Sequence, residues 1–206
     1  MSKLLEEIST YIKNLFETQL SPSFVYHNFQ HTKDVVDAAK KIAENSGIPD
    51  GEKELLLIAA WFHDSGYCTS VKYHEEISTE IAGTFLKKEN YPSEKTDIVK
   101  RIILSTKIPQ HPQTKLEEIL CDADLVYLGY ENLDVKIELL RKEWESTINK
   151  FYTDREWLKQ NIDFIDANSF HTDYAREIFG AVRMLNLNKL KYKAEAQDKT
   201  NLKNLN

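Results

Sequence analysis

Glycine and proline are scarce in this chain, at 6 and 5 among 206 residues. So few turn formers argue against a loop-rich or sheet-rich protein and exclude collagen-like and low-complexity classes. Cysteine is scarcer still. Cys68 and Cys121 form no CxxC pair and are too few for a disulfide framework, so a reducing, cytoplasmic compartment is the expectation. No apolar run is long: Leu55 to Phe62 spans eight residues, against the ~20 that cross a bilayer. The N-terminal MSKLLEEIST carries acids where a signal peptide would be apolar. A basic surplus is also missing. With 27 basic and 33 acidic residues the net charge is -6, which argues against a nucleic-acid-binding surface while allowing a local basic pocket. What the chain does have is 41% hydrophobic, 11% aromatic and 29% charged residues, the balance of an ordinary soluble domain that can build a core.

All five prolines fall between stretches with helical periodicity, where a missing N–H costs least. Leu4, Leu5, Ile8, Ile12, Leu15 and Phe16 recur at three- and four-residue steps, and predict an amphipathic first helix ended by Ser21-Pro22-Ser23. A second is expected from Phe29 to Ala43. A third begins near Asp50 and is apolar on every side through LLLIAAWF, the mark of a buried helix, with Gly66 expected to end it. Further helices are expected over Glu75–Lys88, Ser93–Ser105, Lys115–Leu128, Asn132–Tyr152, Asp154–Ala167 and Thr172–Leu187. No strand-like alternation competes with them. The reading is an all-α fold, a single bundle of about nine helices over residues 1–188, with 189–206 as a flexible polar tail.

Polar groups set into apolar helix carry the functional information, because an unpaired buried charge costs several kcal/mol. His63 and Asp64 end the most apolar helix of the chain. His27 and His31 stand four apart. If both are helical they share a face suited to a metal; if Asn28 is the N-cap, only His31 is inside the helix. Asp122 and Asp124 subtend about 200° on a helix, so only one of them can face a given ion. Each piece alone has a plain structural reading as a core histidine, a cap or an ion pair.

Together, His31, the His63-Asp64 pair 32 residues later and Asp124 a further 60 residues on resemble the H...HD...D signature of the HD superfamily of metal-dependent phosphohydrolases. The segments YHNFQH, WFHD, HEEIS, STK and DADLVYLG are similar to a small bacterial branch of predicted HD hydrolases, over about Tyr26 to Gly129. The resemblance implies a single helical HD domain that binds a divalent ion through His31, His63, Asp64 and Asp124. It would hydrolyse a phosphoester or phosphoanhydride of a small substrate, with a nucleotide expected. A mixed nitrogen and oxygen donor set suits Mn²⁺, Fe²⁺, Co²⁺, Ni²⁺ or Zn²⁺ better than Mg²⁺. Two ligand carboxylates cancel the charge of a dication, so the ligands themselves do not repel a phosphate.

In the resembled branch the segments holding His74, Glu75 and Lys107 flank the metal. His74 or Glu75 is therefore expected to transfer a proton or position water, and Lys107 to contact phosphate. The plain readings are helix-dipole acids in a first turn and a solvated lysine. Ser65-Gly66-Tyr67-Cys68 lacks the acid that some nucleotidase and guanosine-polyphosphate branches carry after HD, and the paired histidines and GYP of the cyclic-dinucleotide branch are absent. His74 and His111 keep open a second ion, as in di-iron oxygenases of this fold; a catalytically inactive nucleotide- or metal-binding module is the other alternative. Among aromatics, Phe16, Phe24, Tyr26, Tyr67, Tyr73 and Tyr127 are candidates for stacking on a base, with core packing the plainer role. Cys68 is read as a reactive thiol or a packing residue, and Glu138, Arg141, Lys142 and Glu145 as a solvated face.

Overall fold

Nine α-helices and two 3₁₀ turns, with no strand, make up the described residues of the computed structural model, which cover the backbone of 2–203 and the side chains of 2–197. In order these are α1 (Lys3–Gln19), α2 (Phe29–Glu44), α3 (Asp50–Phe62), a 3₁₀ turn (Ser65–Cys68), α4 (His74–Lys88), α5 (Ser93–Leu104), α6 (Lys115–Leu125), a second 3₁₀ turn (Val126–Gly129), α7 (Leu133–Thr147), α8 (Asp154–Ala167) and α9 (Asp173–Lys203). The chain divides into two compact units, Met1–Leu125 and Val126–Asn206.

In the first unit α3 is the central element, touched by α1, α2, α4, α5 and α6. Its apolar sequence explains this: Leu56, Ile58, Ala59, Ala60 and Phe62 are fully buried, and a side chain the size of Phe62 contributes about 1.5–3 kcal/mol when removed from water. Around it, α2 turns inward the stripe Val35, Ala39, Ile42 and Ala43, and α6 buries Leu116, Ile119, Leu120, Cys121 and Ala123. His31 lies one turn before Val35 on the same stripe, so the packing that buries α2 also buries His31. Pro49 and Pro92 stand just before α3 and α5, where a missing N–H is harmless.

Gly66 does not end α3 as the sequence suggests. The helix stops at Phe62, and Gly66 sits inside the 3₁₀ turn. The glycine is required by close approach, because a Cβ there would lie 2.0 Å from the carbonyl oxygen of His74. Gly66 N–H donates to Ser78 Oγ at 2.8 Å, tying the turn to α4.

In the second unit α7 ends five residues short of the expected Tyr152. Asn149 adopts a left-handed φ of 52°, the N–H groups of Ile148 and Lys150 both donate to Trp144 O, and Thr153 with Glu156 forms a capping box that starts α8. Arg141 is less solvated than its sequence context suggests. It pairs with Asp154 at 2.8 Å and Glu145 at 3.4 Å and donates to Tyr152 O, pinning the α7–α8 connection. Helix α9 runs through the expected domain boundary at 188, since Leu187 and Leu190 continue its buried face. Residues 204–206 of the expected tail lie outside the described residues. No helix among the described residues is long and apolar enough to cross a membrane.

The two thiols occupy quiet positions. Burial pushes Cys68 up to about 11 and Cys121 up to about 12, and Cys121 Sγ donates to Ser105 O at 3.1 Å. An acid with a raised pKa yields its thiolate only at higher pH. Labelling by a disulfide reagent at pH 8 should therefore run about a hundredfold slower than for a free thiol and accelerate as pH approaches 11. Rapid stoichiometric labelling at pH 8 would show Cys68 to be the activated thiol of the alternative reading.

Candidate metal centre

Four side chains from two helices and the end of a third converge in the first unit. Asn28 caps α2, its Oδ1 accepting from Gln30 N–H at 2.9 Å and His31 N–H at 3.2 Å, so His31 is inside the helix and His27 outside it. That resolves the two readings of the histidine pair in favour of the cap. His63 is the C-cap of α3, and Asp64 follows with α3 already ended, which frees the two adjacent side chains to point at one place. Asp124 lies in the last turn of α6. Asp122, two residues earlier, is buried outside the group, as the 200° separation requires.

The resulting distances are short and mutual. Asp64 Oδ2 is 3.3 Å from His31 Nε2 and 3.2 Å from His63 Nε2; Asp124 Oδ1 is 3.5 Å and 3.6 Å from the same nitrogens. One donor atom each from His31, His63 and Asp124 lies within 4.8 Å of the others. Ligands bound at ~2.0–2.2 Å to a common ion stand roughly 3.0–3.5 Å apart, so the group has the spacing of a coordination shell. His63 is fully buried and His31 nearly so.

Electrostatics carry the same message. His31 Nε2, His63 Nε2 and Asp64 Oδ2 are buried without a hydrogen-bond partner. Such orphaned groups are costly unless a cation stands between them. His63 Nδ1 is 2.8 Å from Ala60 O; donating there leaves the Nε2 lone pair facing the carboxylates, the tautomer that a metal ligand needs. Burial alone would lower both imidazole pKa values, but the Asp64 and Asp124 carboxylates outweigh it and raise His31 and, further, His63. Burial likewise opposes ionisation of the aspartates, yet the imidazoles hold Asp64 well below the usual range and Asp124 at about 2. Two anionic oxygens facing two imidazole nitrogens call for positive charge in the gap, and the donor chemistry fits a divalent transition ion.

The other expected site residues divide. His74, the first residue of α4, lies beside the group: its Nδ1 is 3.1 Å from Val71 O, and its Nε2 is 3.7 Å from Asp64 Oδ1. Glu75 is buried, with Oε2 3.4 Å from His74 Nδ1. Lys107 is half-exposed and ion-paired with Glu76, one residue further along α4. His111 is exposed in the loop before α6 and does not join the group.

A family model for the HD domain matches residues 28–127, from the cap of α2 to just past Asp124. The match covers just under half of the chain and makes this region similar to HD domains. The HD family is one of metal-dependent hydrolases, and the matched region contains the four residues that converge here. Two solved structures are similar to this chain. Bacillus subtilis YpgQ, crystallised in complex with ADP, is 17% identical over 93% of this chain and 97% of its own, with a TM-score of 0.64. A predicted HD superfamily hydrolase from an uncultured Thermotogales bacterium is 22% identical over 78% of this chain and 86% of its own, with a TM-score of 0.53. At these identities the likeness is one of fold. No curated protein matches this chain.

Sequence reasoning missed an aromatic column beside this group. Tyr67 is stacked between His74, centroids 3.9 Å apart, and His27, at 4.5 Å, while Phe24 tilts against it at 5.3 Å. Tyr26 lies against both His27 and His31 at 4.8 Å. These contacts fix the planes of His74 and His31. They depend on the 3₁₀ turn bringing Tyr67 between two histidines distant in sequence, and no spacing rule announces that.

Proposed function

We propose that this HD protein is a phosphohydrolase in which His31, His63, Asp64 and Asp124 hold one divalent transition ion and the substrate is a small nucleotide. The observation that carries the reading is the buried convergence of unsatisfied imidazole nitrogens and carboxylate oxygens at the four signature positions. When bound, such an ion supplies a Lewis acid for a phosphoryl oxygen and a water acidified towards ~7. The remaining work belongs to the chain. Ala60 O orients His63, and Asn28 and Tyr26 orient His31. His74, held by Val71 O and the face of Tyr67 with Nε2 turned to Asp64, is placed to position water or return a proton to the leaving oxygen. Glu75 sits behind it, and Lys107 stands at the rim to meet phosphate charge. The ADP in the complex of YpgQ, which shares the fold, supports a nucleotide as the substrate class.

The test is a panel of nucleoside mono-, di- and triphosphates, cyclic nucleotides and a generic phosphodiester, each with Mn²⁺, Fe²⁺, Co²⁺, Ni²⁺, Zn²⁺ and Mg²⁺. Phosphate or pyrophosphate release from at least one nucleotide, with Mg²⁺ among the weaker ions, is the expected result. No release from any of them, with the protein loaded with metal, would overturn the reading.

A further inference from the structure

Resting on the nucleotide reading, we infer that Tyr73 is the platform on which the base of the substrate stacks, with Lys72 and Lys107 beside it to receive the phosphates on their way to the buried ligands. The inference begins with the first unit's aromatic rings. Phe16 and Tyr26 are buried. Tyr67 has a histidine on each face, and Phe24 is packed against Tyr67. Tyr73 differs, with 56% of its surface exposed, and it directly precedes His74, whose ring stands beside Asp64.

Its backbone adds a second observation. Tyr73 occupies the N-cap of α4 with φ 63° and ψ 29°, in the left-handed region, and its side chain makes no capping hydrogen bond. Glycine or asparagine would take this position at lower cost, and Asn or Ser would cap the helix as well. Neither backbone nor capping favours a tyrosine here, and its ring adds little to the core. Strain of this kind concentrates where a side chain is held for a task.

The third observation is charge. Lys72 Nζ lies 4.7 Å and Lys107 Nζ 5.6 Å from the centre of the Tyr73 ring. In a chain of net charge -6, these two ammonium groups, Lys107 paired with Glu76, stand beside an exposed aromatic ring. Exposed cation–π contacts are weak and lysine stems are flexible, so an incoming base can displace the ammonium groups, which then turn to phosphate oxygens. Lys107 is held in reach by Glu76, one helical position from Glu75.

The experiment compares the affinities of ADP and of inorganic pyrophosphate, which has no base, for metal-loaded wild type, Tyr73→Ala, Tyr73→Phe and Tyr73→Gly. The preference of wild type for ADP should fall about tenfold or more in Y73A and Y73G and be kept in Y73F. Y73G should hold or raise Tm, because glycine relieves the left-handed strain. An unchanged preference in Y73A would overturn the inference and leave the hydrolase reading standing. Equal losses for ADP and pyrophosphate together with a Tm lowered in Y73G would reduce Tyr73 to a structural residue and also overturn it. Wild type that takes neither ligand would overturn the inference and the nucleotide reading together.

Discussion

Asp64→Asn should cut the bound divalent ion from about one per chain to below a tenth and lower kcat/KM by roughly a thousandfold or more. The substitution keeps the volume of the side chain, so packing is not the variable. It removes the charge of a carboxylate whose Oδ2 lies 3.2–3.3 Å from both His31 and His63 and whose Oδ1 faces His74 at 3.7 Å. Two buried imidazoles would then face one carboxylate instead of two. Burial, which already opposes their protonation, gains ground, and neither a proton nor a dication is held as well. Stability provides a second readout. An ion present at a hundred times its dissociation constant stabilises the native state by about 2.7 kcal/mol, and a chain of this length shifts by about 2–4 °C per kcal/mol. Chelation should therefore lower the Tm of wild type by roughly 5–10 °C and leave that of Asp64→Asn unchanged. A variant that retains its metal by elemental analysis would remove Asp64 from the proposed ligand set.

Gly66→Ala should be the most damaging small change outside the proposed ligands. The added methyl would stand 2.0 Å from His74 O, 2.8 Å from its carbonyl carbon and 2.9 Å from its Cα. All three are backbone atoms, and no side-chain rotation relieves the overlap. The 3₁₀ turn and the start of α4 must separate, weakening the bond from Gly66 N–H to Ser78 Oγ and moving His74 off Asp64. Overpacking of this kind costs about 1–3 kcal/mol, a Tm loss of roughly 2–12 °C, and a misplacement near 1 Å beside the reacting atoms costs about a hundredfold in rate. Gly180→Ala is the contrast, because a Cβ there meets nothing within 4 Å and α9 should gain slightly. Equal behaviour of the two variants, in melting and in turnover, would refute the close-approach account.

Much of the fold was legible because helical periodicity is local. The stripe from Val35 to Ala43, the all-round apolar run before His63 and the start at Asp154 reappear as α2, α3 and α8, with the ends of α2 and α8 within one residue of expectation and α3 stopping at Phe62, short of Gly66. Longer shifts arose where backbone conformation overrode pattern. Asn149 turns left-handed and shortens α7, while Leu187 and Leu190 keep α9 going beyond the expected boundary. Gly66 was legible as special and misread in kind, since a glycine that ends a helix and a glycine that admits another backbone are the same letter.

The order and spacing of His31, His63, Asp64 and Asp124 were determined by the sequence alone, and with them the expectation of a divalent ion. The burial of His31, His63 and Asp64 was foreshadowed too, because each sits on or at the end of an apolar helical stripe. Tertiary structure decided the rest. Whether His27 joined His31, which aspartate of the Asp122-Asp124 pair faced inward, and whether His111 came near all depended on caps and helix packing. The stacking of Tyr67 between His27 and His74, the carbonyls of Ala60 and Val71 and the exposed ring of Tyr73 were likewise invisible to spacing. The physical reason is the range of the forces involved. Periodicity and capping act within a few residues, whereas the electrostatics of a buried site depend on which side chains from distant segments are brought within about 4 Å and kept from water.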